Sequence, residues 1–160
     1  MLVDMLTLDE FLAIAHRVVW AAVATVDRHG RPRSRVLHPI WLRDGERLRG
    51  WVITRPTALK RAHLRHSPYA SVHYWDPAHD TAVAECGAAW CDDAQTRAAV
   101  WQAFLDAPAP LGYDFARIFP AGPQSPDAGF LQLDPWRIRV HRVVAGAAPL
   151  VWSAEPVRAA

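Results

Sequence analysis

Short runs of alternating apolar and polar residues, joined by tight turns, constrain this chain more than any other feature. Trp20 to Val26 is apolar and rich in β-formers, and Asp27-Arg28-His29-Gly30 is a turn with glycine at its end. Arg31 to Leu42 resumes as a second strand, with Arg33, Arg35 and Leu37 set against Ser34, Val36 and His38. Arg43-Asp44-Gly45-Glu46 is another turn, and Arg47 to Thr54 alternates Leu48, Gly50, Val52 and Thr54 against Arg49, Trp51 and Ile53. Strands joined this tightly pair antiparallel. Tyr69 to Trp75, Thr81 to Cys91 and Phe130 to Val144 (interrupted at Pro135) bring the count to six, and a six-stranded antiparallel sheet in a chain of 160 residues closes into a barrel.

Helices flank the strands, so the fold class is mainly β with flanking helices, in one domain over 1–160. Thr7-Leu-Asp-Glu10 has the form of a capping box, and Phe11, Leu12, Ala15, Val18 and Val19 recur at helical spacing, which predicts a helix from Leu8 to Val18. A short basic helix opens near Pro56, pre-set for the first helical position. Asp92, with Gln95 three residues on, predicts the cap of a third helix whose buried stripe is Ala94, Ala98, Trp101 and Leu105. Prolines 108, 110, 120, 123 and 126 mark an irregular stretch from Ala107 to Ala128, of the kind that serves as a binding segment or lid. The tail after Ala145 is expected to fray or to wrap a partner.

Composition narrows the function. A chain 51% apolar and 21% charged is globular, and a net charge of +2 gives no ground for nucleic-acid binding. Eight tryptophans imply large flat surfaces to fill in a core, an interface or a ring-binding pocket. Cys86 and Cys91 fall on opposite faces of one strand and read as reduced, packed thiols. No cationic, apolar leader and no apolar run of transmembrane length are present, so a soluble cytoplasmic protein without membrane contact is expected. His63 and His66 have ligand-compatible spacing, but no carboxylate or thiol completes a metal set. Gly-x-Ser-x-Gly and His-Glu-x-x-His are both absent, which removes the common hydrolase readings.

The stretch Thr54-Arg-Pro-Thr-Ala-Leu-Lys60 is the strongest chemical signal. A strand ends there and a helix begins, so free backbone N–H groups and the positive end of the helix dipole make an anion site. The Thr54 and Thr57 hydroxyls and the Lys60 ammonium can converge on a phosphate, and Arg35 from a neighbouring strand can add a planar, bidentate partner. Lys60, Arg61, His63, Arg65 and His66 cannot all reach one phosphate from one helix. Arg61 and Arg65 therefore form a solvated face, a ramp for an anionic cofactor tail or a nucleic-acid surface, in that order of expectation.

These residues resemble the pyridoxamine 5'-phosphate oxidase-like family, the flavin-binding split β-barrels. Ala24 to Arg33 looks like the opening hairpin. Arg35-Val-Leu-His38 is similar to the segment whose arginine contacts the flavin phosphate and whose backbone lines the ring. Thr54 to Lys60 resembles the phosphate clamp, and Leu133-Asp-Pro-Trp-Arg-Ile-Arg139 resembles the closing strand. The departures are Ala58 where the oxidase has a serine, Thr81-Ala-Val-Ala84 where it has a Gln and an Arg, and Arg137-Ile-Arg139 where it has Arg-x-His.

The resemblance implies a six-stranded split barrel and a homodimer with FMN at the subunit interface, or the deazaflavin F420 in its place. It argues against pyridoxamine phosphate as substrate. On this reading Arg35, Thr54, Arg55, Thr57 and Lys60 hold the phosphate. Val36, Leu37 and His38 border the ring, and Trp136 and Arg137 close the pocket from the other subunit. Arg139 and Tyr113, the latter in the Pro-rich segment, face a small organic substrate. A flavin-dependent oxidoreductase is the expectation, with a non-catalytic flavin-binding or stress protein as the alternative. A flavin carries its own redox chemistry, so the absence of a catalytic triad is in keeping with either.

Overall fold

The structure is a computed structural model that describes residues 2–143, 146 and 148–154. Eight antiparallel strands form one sheet: β1 (Ala21–Val26), β2 (Pro32–Leu37), β3 (Pro39–Asp44), β4 (Arg47–Thr54), β5 (Tyr69–Trp75), β6 (Thr81–Cys91), β7 (Gly129–His141) and β8 (Leu150–Ser153). They run in the order β2-β1-β5-β6-β7-β4-β3, with β8 also paired to β7. Helix α1 (Leu2–Val18) precedes the sheet, α2 (Ala58–His66) joins β4 to β5, and α3 (Ala94–Asp106) follows β6.

The expected strand count of six becomes eight for two reasons. The run from Arg31 to Leu42 is two strands rather than one. β2 pairs with β1 at one end of the sheet, whereas β3 pairs with β4 at the other. Pro39 has no N–H and holds His38 away from helical backbone. The chain thus passes directly from one sheet edge to the opposite edge, and this connection curls the sheet into a barrel. The second addition is β8, which lies against residues 137–140 of β7. The expected break at Pro135 is a bulge inside a continuous β7: Cys86 faces Pro135 while Glu85 faces Arg137, leaving Trp136 unpaired in the β6 register. Along its other edge, β7 passes from β4 to β8 at this point.

Two clusters fill the two faces. Inside the barrel, Phe11 and Ile14 of α1 pack with Trp41, Val52, Val72, Tyr74 and Ile138. The Phe11 ring meets Trp41 edge-on at 4.9 Å, and Trp41 Nε1 donates to the buried Tyr74 hydroxyl at 2.9 Å. Outside, Ile40, Trp51, Ile53 and Phe130 are covered by Val100, Trp101 and Phe104 of α3 and by Leu111, Phe115 and Phe119.

Several local expectations are corrected. α1 begins six residues before Leu8, so Thr7 lies buried within the helix and does not cap it. Thr57, not Pro56, opens α2, and its hydroxyl accepts the Lys60 N–H. Asp93, not Asp92, caps α3 by accepting from the Thr96 N–H at 2.8 Å. The buried stripe of α3 is Val100, Trp101 and Phe104, while Ala94, Ala98 and Leu105 are exposed.

The stripe is rotated because Arg97 turns inward. Its guanidinium donates to the carbonyls of Pro123, Ser125 and Ala128 at 2.8 to 3.0 Å and stacks over Phe130. Those bonds, with two 3₁₀ turns at Phe115–Arg117 and Gly122–Gln124, make the Pro-rich stretch an ordered part of the outer core. Val144, Ala145 and the residues after Ala154, where the closing strand and tail were expected to run, lie outside the described residues.

Candidate functional site

The site forms where the open end of the barrel meets α2. β4 delivers Thr54 at its last position, three residues before the helix cap. Register pairs Val23 of β1 with Arg35 of β2, so Arg35 and Thr25 are diagonal neighbours on the inner face. Lys60 projects from the first turn of α2 back toward β4. Its Nζ donates to Thr54 Oγ1 at 2.7 Å and to the Arg55 carbonyl at 3.0 Å. Arg35 Nη1 donates to Thr25 Oγ1 at 2.8 Å. Val23, Leu37, Leu64, Trp90 and Leu131 supply the apolar walls of the cleft that these polar groups line.

Two cations share this cleft, and among the described residues neither has a carboxylate partner. Burial pushes the Lys60 ammonium below its usual range, and the Arg35 charge pushes it further the same way. Burial likewise works against the Arg35 guanidinium, with Arg33 adding a second repulsion. Some arginines elsewhere are paired, Arg31 with Asp27, Arg49 with Asp134 and Arg137 with Glu85, while others, such as Arg55, Arg61 and Arg97, lie over aromatic rings. Two half-buried cations and two hydroxyls thus face one cleft, a donor set whose chemistry suits an anion. The α2 amides of Ala58 and Leu59, which have no intrahelical acceptor, point the same way.

Not every expected residue joins this group. Thr57 is exposed, and its hydroxyl is engaged as the helix cap. The Arg55 side chain turns away to lie over the Phe119 ring at 5.6 Å, leaving only its carbonyl toward Lys60. Leu37 lines the cleft, but Val36 points to the opposite face and is exposed. His38 is only 6% exposed and sits inside its own chain's aromatic box, with the rings of Trp20, Phe104, Tyr113 and Phe115 at 4 sides between 5.2 and 6.4 Å. Neither of its nitrogens has a hydrogen-bond partner of good geometry; burial lowers its basicity, and the Leu111 backbone offsets this in part. Tyr113 is therefore beside His38, not beside the cations. Trp136 and Arg139 are exposed on β7, with β1, β5 and β6 between them and β2, and Arg137 is held by Glu85 at 3.2 Å. None of the three lines the cleft of its own chain.

Sequence reasoning missed Thr25, His63 and Trp90. The first turns on the hairpin register: the expected four-residue turn, Asp27 to Gly30, would set Arg35 across from Ala22, whereas Val26 pairs with Pro32, which sets Arg35 across from Val23 and diagonal to Thr25. His63 lies three residues beyond Lys60, hence on the same helical face, but was grouped with the basic run. Trp90 offered no local signal, since its place depends on how β6 passes beneath α2. Among the described residues no three His, Cys, Asp or Glu side chains form a metal cluster, and no helix is long and apolar enough to cross a membrane.

The comparisons bear on the fold that carries this cleft. Residues 7–142 match the sequence model of the pyridoxamine 5'-phosphate oxidase family. No curated protein sequence matches the chain. Among solved structures, a protein from Clostridium acetobutylicum related to general stress protein 26 of B. subtilis, of the pyridoxinephosphate oxidase family, superposes with a TM-score of 0.72 at 12% identity, covering 94% of this chain and 95% of that one. A pyridoxamine 5'-phosphate oxidase-related, FMN-binding protein from Nostoc punctiforme gives 0.59 at 19% identity, with 95% of each chain covered. A heme-binding protein from Mycobacterium smegmatis gives 0.68 at 19% identity, covering 92% of this chain and 57% of its own. Such identities speak for the fold, which is that of the family's split barrels. With a match over most of its length and this fold, the chain is a member of the pyridoxamine 5'-phosphate oxidase family.

Proposed function

We propose that this protein is a flavin-dependent oxidoreductase that holds FMN by its phosphate between Arg35 and Lys60 and acts on a small organic substrate. The observation that carries the reading is the pair of carboxylate-free cations, with the Thr54 and Thr25 hydroxyls, at one apolar-walled cleft. The donor set fits a phosphate dianion: a guanidinium offers two parallel N–H groups, an ammonium a point charge, and the helix start free amides. The name of the Nostoc relative adds support, being that of an FMN-binding protein of the same fold. When bound, the flavin ring supplies the redox chemistry; the chain binds the phosphate, orients the ring and excludes water.

A homodimer belongs to the same proposal. Across β2, β1, β5, β6, β7 and β8 the outer face carries the row Val36, Ala22, His73, Val83, Arg139 and Val151, bordered by Ser34, Ala24, Ser71, the ion-paired Glu85 and Arg137, and Ser153. Trp20 and Trp75 stand beside it, each 56% exposed. Among the described residues no helix covers this face, unlike the outer face of β3 and β4. A second copy seated there would bring Trp136, Arg137 and Arg139 to a neighbouring cleft, which they cannot reach in their own chain.

One observation favours F420 as a second reading of the cofactor. Trp90 and Leu64 line both the phosphate cleft and an adjoining hollow bordered by Arg61, Arg65, Pro68 and Ala88. Arg61 lies over the Trp90 ring at 5.4 Å, and the indole N–H is buried without a partner. An anionic tail running past the phosphate would meet these groups. The deciding experiment is an absorption spectrum of the purified protein, titration with FMN and with F420, and stopped-flow reduction by NAD(P)H. FMN binding with reduction supports the main reading. Tight binding of F420 alone moves the assignment to the second, and binding of FMN with no turnover of any donor leaves a flavin-binding protein.

A further inference from the structure

Behind the two cations, polar side chains from three elements meet. Thr25 of β1 and His63 of α2 are almost wholly buried, at 6% and 3% exposed. Thr25 Oγ1 accepts from Arg35 Nη1 at 2.8 Å and lies 3.1 Å from His63 Nδ1. His63 and Lys60 are three residues apart, so α2 presents both to the sheet on one side. The Thr25 hydroxyl thus links Arg35 on the sheet to His63 on the helix that carries Lys60, whose own hydroxyl partner is Thr54.

Proton accounting gives this contact a direction. A threonine hydroxyl has one proton to donate and two lone pairs, and a guanidinium can only donate. Arg35 therefore occupies one lone pair of Thr25. The hydroxyl proton then has two destinations: His63 Nδ1, or the cleft that Thr25 also lines. With no anion in front of Arg35, His63 Nδ1 is the acceptor, and the imidazole carries its proton on Nε2. A phosphate oxygen between Arg35 and Lys60 is a charged and stronger acceptor. The Thr25 proton can turn to it if His63 releases its Nε2 proton to water and takes one from water in the cleft at Nδ1, which then donates to the second lone pair of Thr25. The exchange leaves the ring neutral and moves no net proton.

We infer that His63 is a positioning residue of the anion site: through Nδ1 it sets the direction of the Thr25 hydroxyl, fixes Arg35 relative to Lys60, and changes tautomer when an anion binds. The inference rests on reading the cleft as a phosphate site, and its test separates the two. Imidazole ¹⁵N spectra of the full chain, with His63→Asn used to assign the resonance, are recorded without ligand, with inorganic phosphate and with FMN. The expected result is the Nε2–H form without ligand and the Nδ1–H form at saturation. An Nδ1–H form without ligand, or one tautomer throughout while phosphate binds, overturns the assignment.

Affinity supplies the second arm. His63→Asn keeps a hydrogen-bonding group near the Nδ1 position and should stay within about threefold of the parent for FMN, whereas His63→Leu and Thr25→Val should each lose about tenfold or more, the size of a hydrogen bond to a charged group. Equal losses for His63→Asn and His63→Leu, in proteins of matched melting temperature, also overturn it. If the parent chain binds neither phosphate nor FMN, the phosphate reading fails and the tautomer change with it. The ligand-free spectrum then still decides whether His63 Nδ1 accepts from Thr25.

Discussion

The Lys60 ammonium is held 2.7 Å from the Thr54 hydroxyl, a neutral partner, in a cleft whose other cation is Arg35. A lysine in such a place is stabilised less than one facing a carboxylate, and burial together with Arg35 pushes its proton affinity down. The arrangement is unfavourable until an anion arrives, a trade between stability and function familiar at binding sites.

Lys60→Met should therefore separate the two quantities. Phosphate-dependent FMN affinity should fall by about tenfold to a hundredfold, the loss of one charge-assisted contact. The melting temperature of the ligand-free protein should stay level or rise, because a half-buried cation beside Arg35 has been removed. Isothermal titration and calorimetric scans of the same preparation read both. A variant that binds FMN like the parent would remove Lys60 from the site.

Gly129 links the floor of the cleft to the start of α2. It pairs with Thr54 in the sheet, and a Cβ there would lie 2.7 Å from Trp90 and 2.8 Å from Pro56. Neither ring can retreat without shifting the cleft wall or the lead into the helix. Gly129→Ala should destabilise by about 1–3 kcal/mol, as overpacking does, and should weaken FMN binding as well. Gly87→Ala is the control, since its Cβ would meet only Asp134 O at 3.9 Å. Urea midpoints for the two variants give the comparison, and equal midpoints would show that the close approach at Gly129 carries no constraint.

Much of this architecture was legible because its strands end on turn residues. Arg47–Thr54, Tyr69–Trp75 and Thr81–Cys91 have the bounds that alternation and flanking Gly, Pro and Asp residues give them. The division at His38 was marked only by Pro39 within the run from Arg31 to Leu42; that its halves join opposite edges of the sheet shows only in their partners, β1 and β4.

Arg97 misled for a different reason. Its charge marks it as solvent-facing, yet three backbone carbonyls of the Pro-rich segment satisfy it, and the α3 stripe rotates accordingly. At the site, Arg35, Thr54 and Lys60 come together as their motifs imply. Thr25 and His63 needed the hairpin register and the seating of α2 together, which no single window of sequence contains.

Stability should fall on mild acidification. His38 and His16 both have their basicity lowered by burial. His16 also accepts the Trp41 N–H through Nε2 at 3.3 Å, which an imidazolium cannot do. An unfolded histidine titrates near about 6.5, so below that pH the unfolded chain binds more protons than the folded one. The contribution of both residues is complete above that value and is lost as pH falls through their lower folded values. Urea midpoints should be level from pH 8 to 7 and decline from about 6.5 to 5, above the range where carboxylates protonate. His38→Phe, which suits a box of Trp20, Phe104, Tyr113 and Phe115, should flatten that decline. A parent midpoint that does not move between pH 7 and 5 would contradict the burial argument.

The uncovered outer face gives the sharpest test of the quaternary proposal. Ala22 lies between Val36 and His73 in the sheet and is exposed in the single chain. A carboxylate there meets water in a monomer and has nothing to disrupt in the fold. In a dimer closed across this face, the two copies' carboxylates would be desolvated between Val36 and His73, at a penalty of about 1–3 kcal/mol or more per copy. Ala22→Glu should therefore leave the circular dichroism spectrum and melting cooperativity unchanged while converting a dimer to a monomer by light scattering. FMN affinity should fall with it, because the monomer's cleft lacks the partner's Trp136, Arg137 and Arg139. Ala22→Glu that remains dimeric would place the interface elsewhere, and full FMN affinity in a proven monomer would show that one chain completes the site alone.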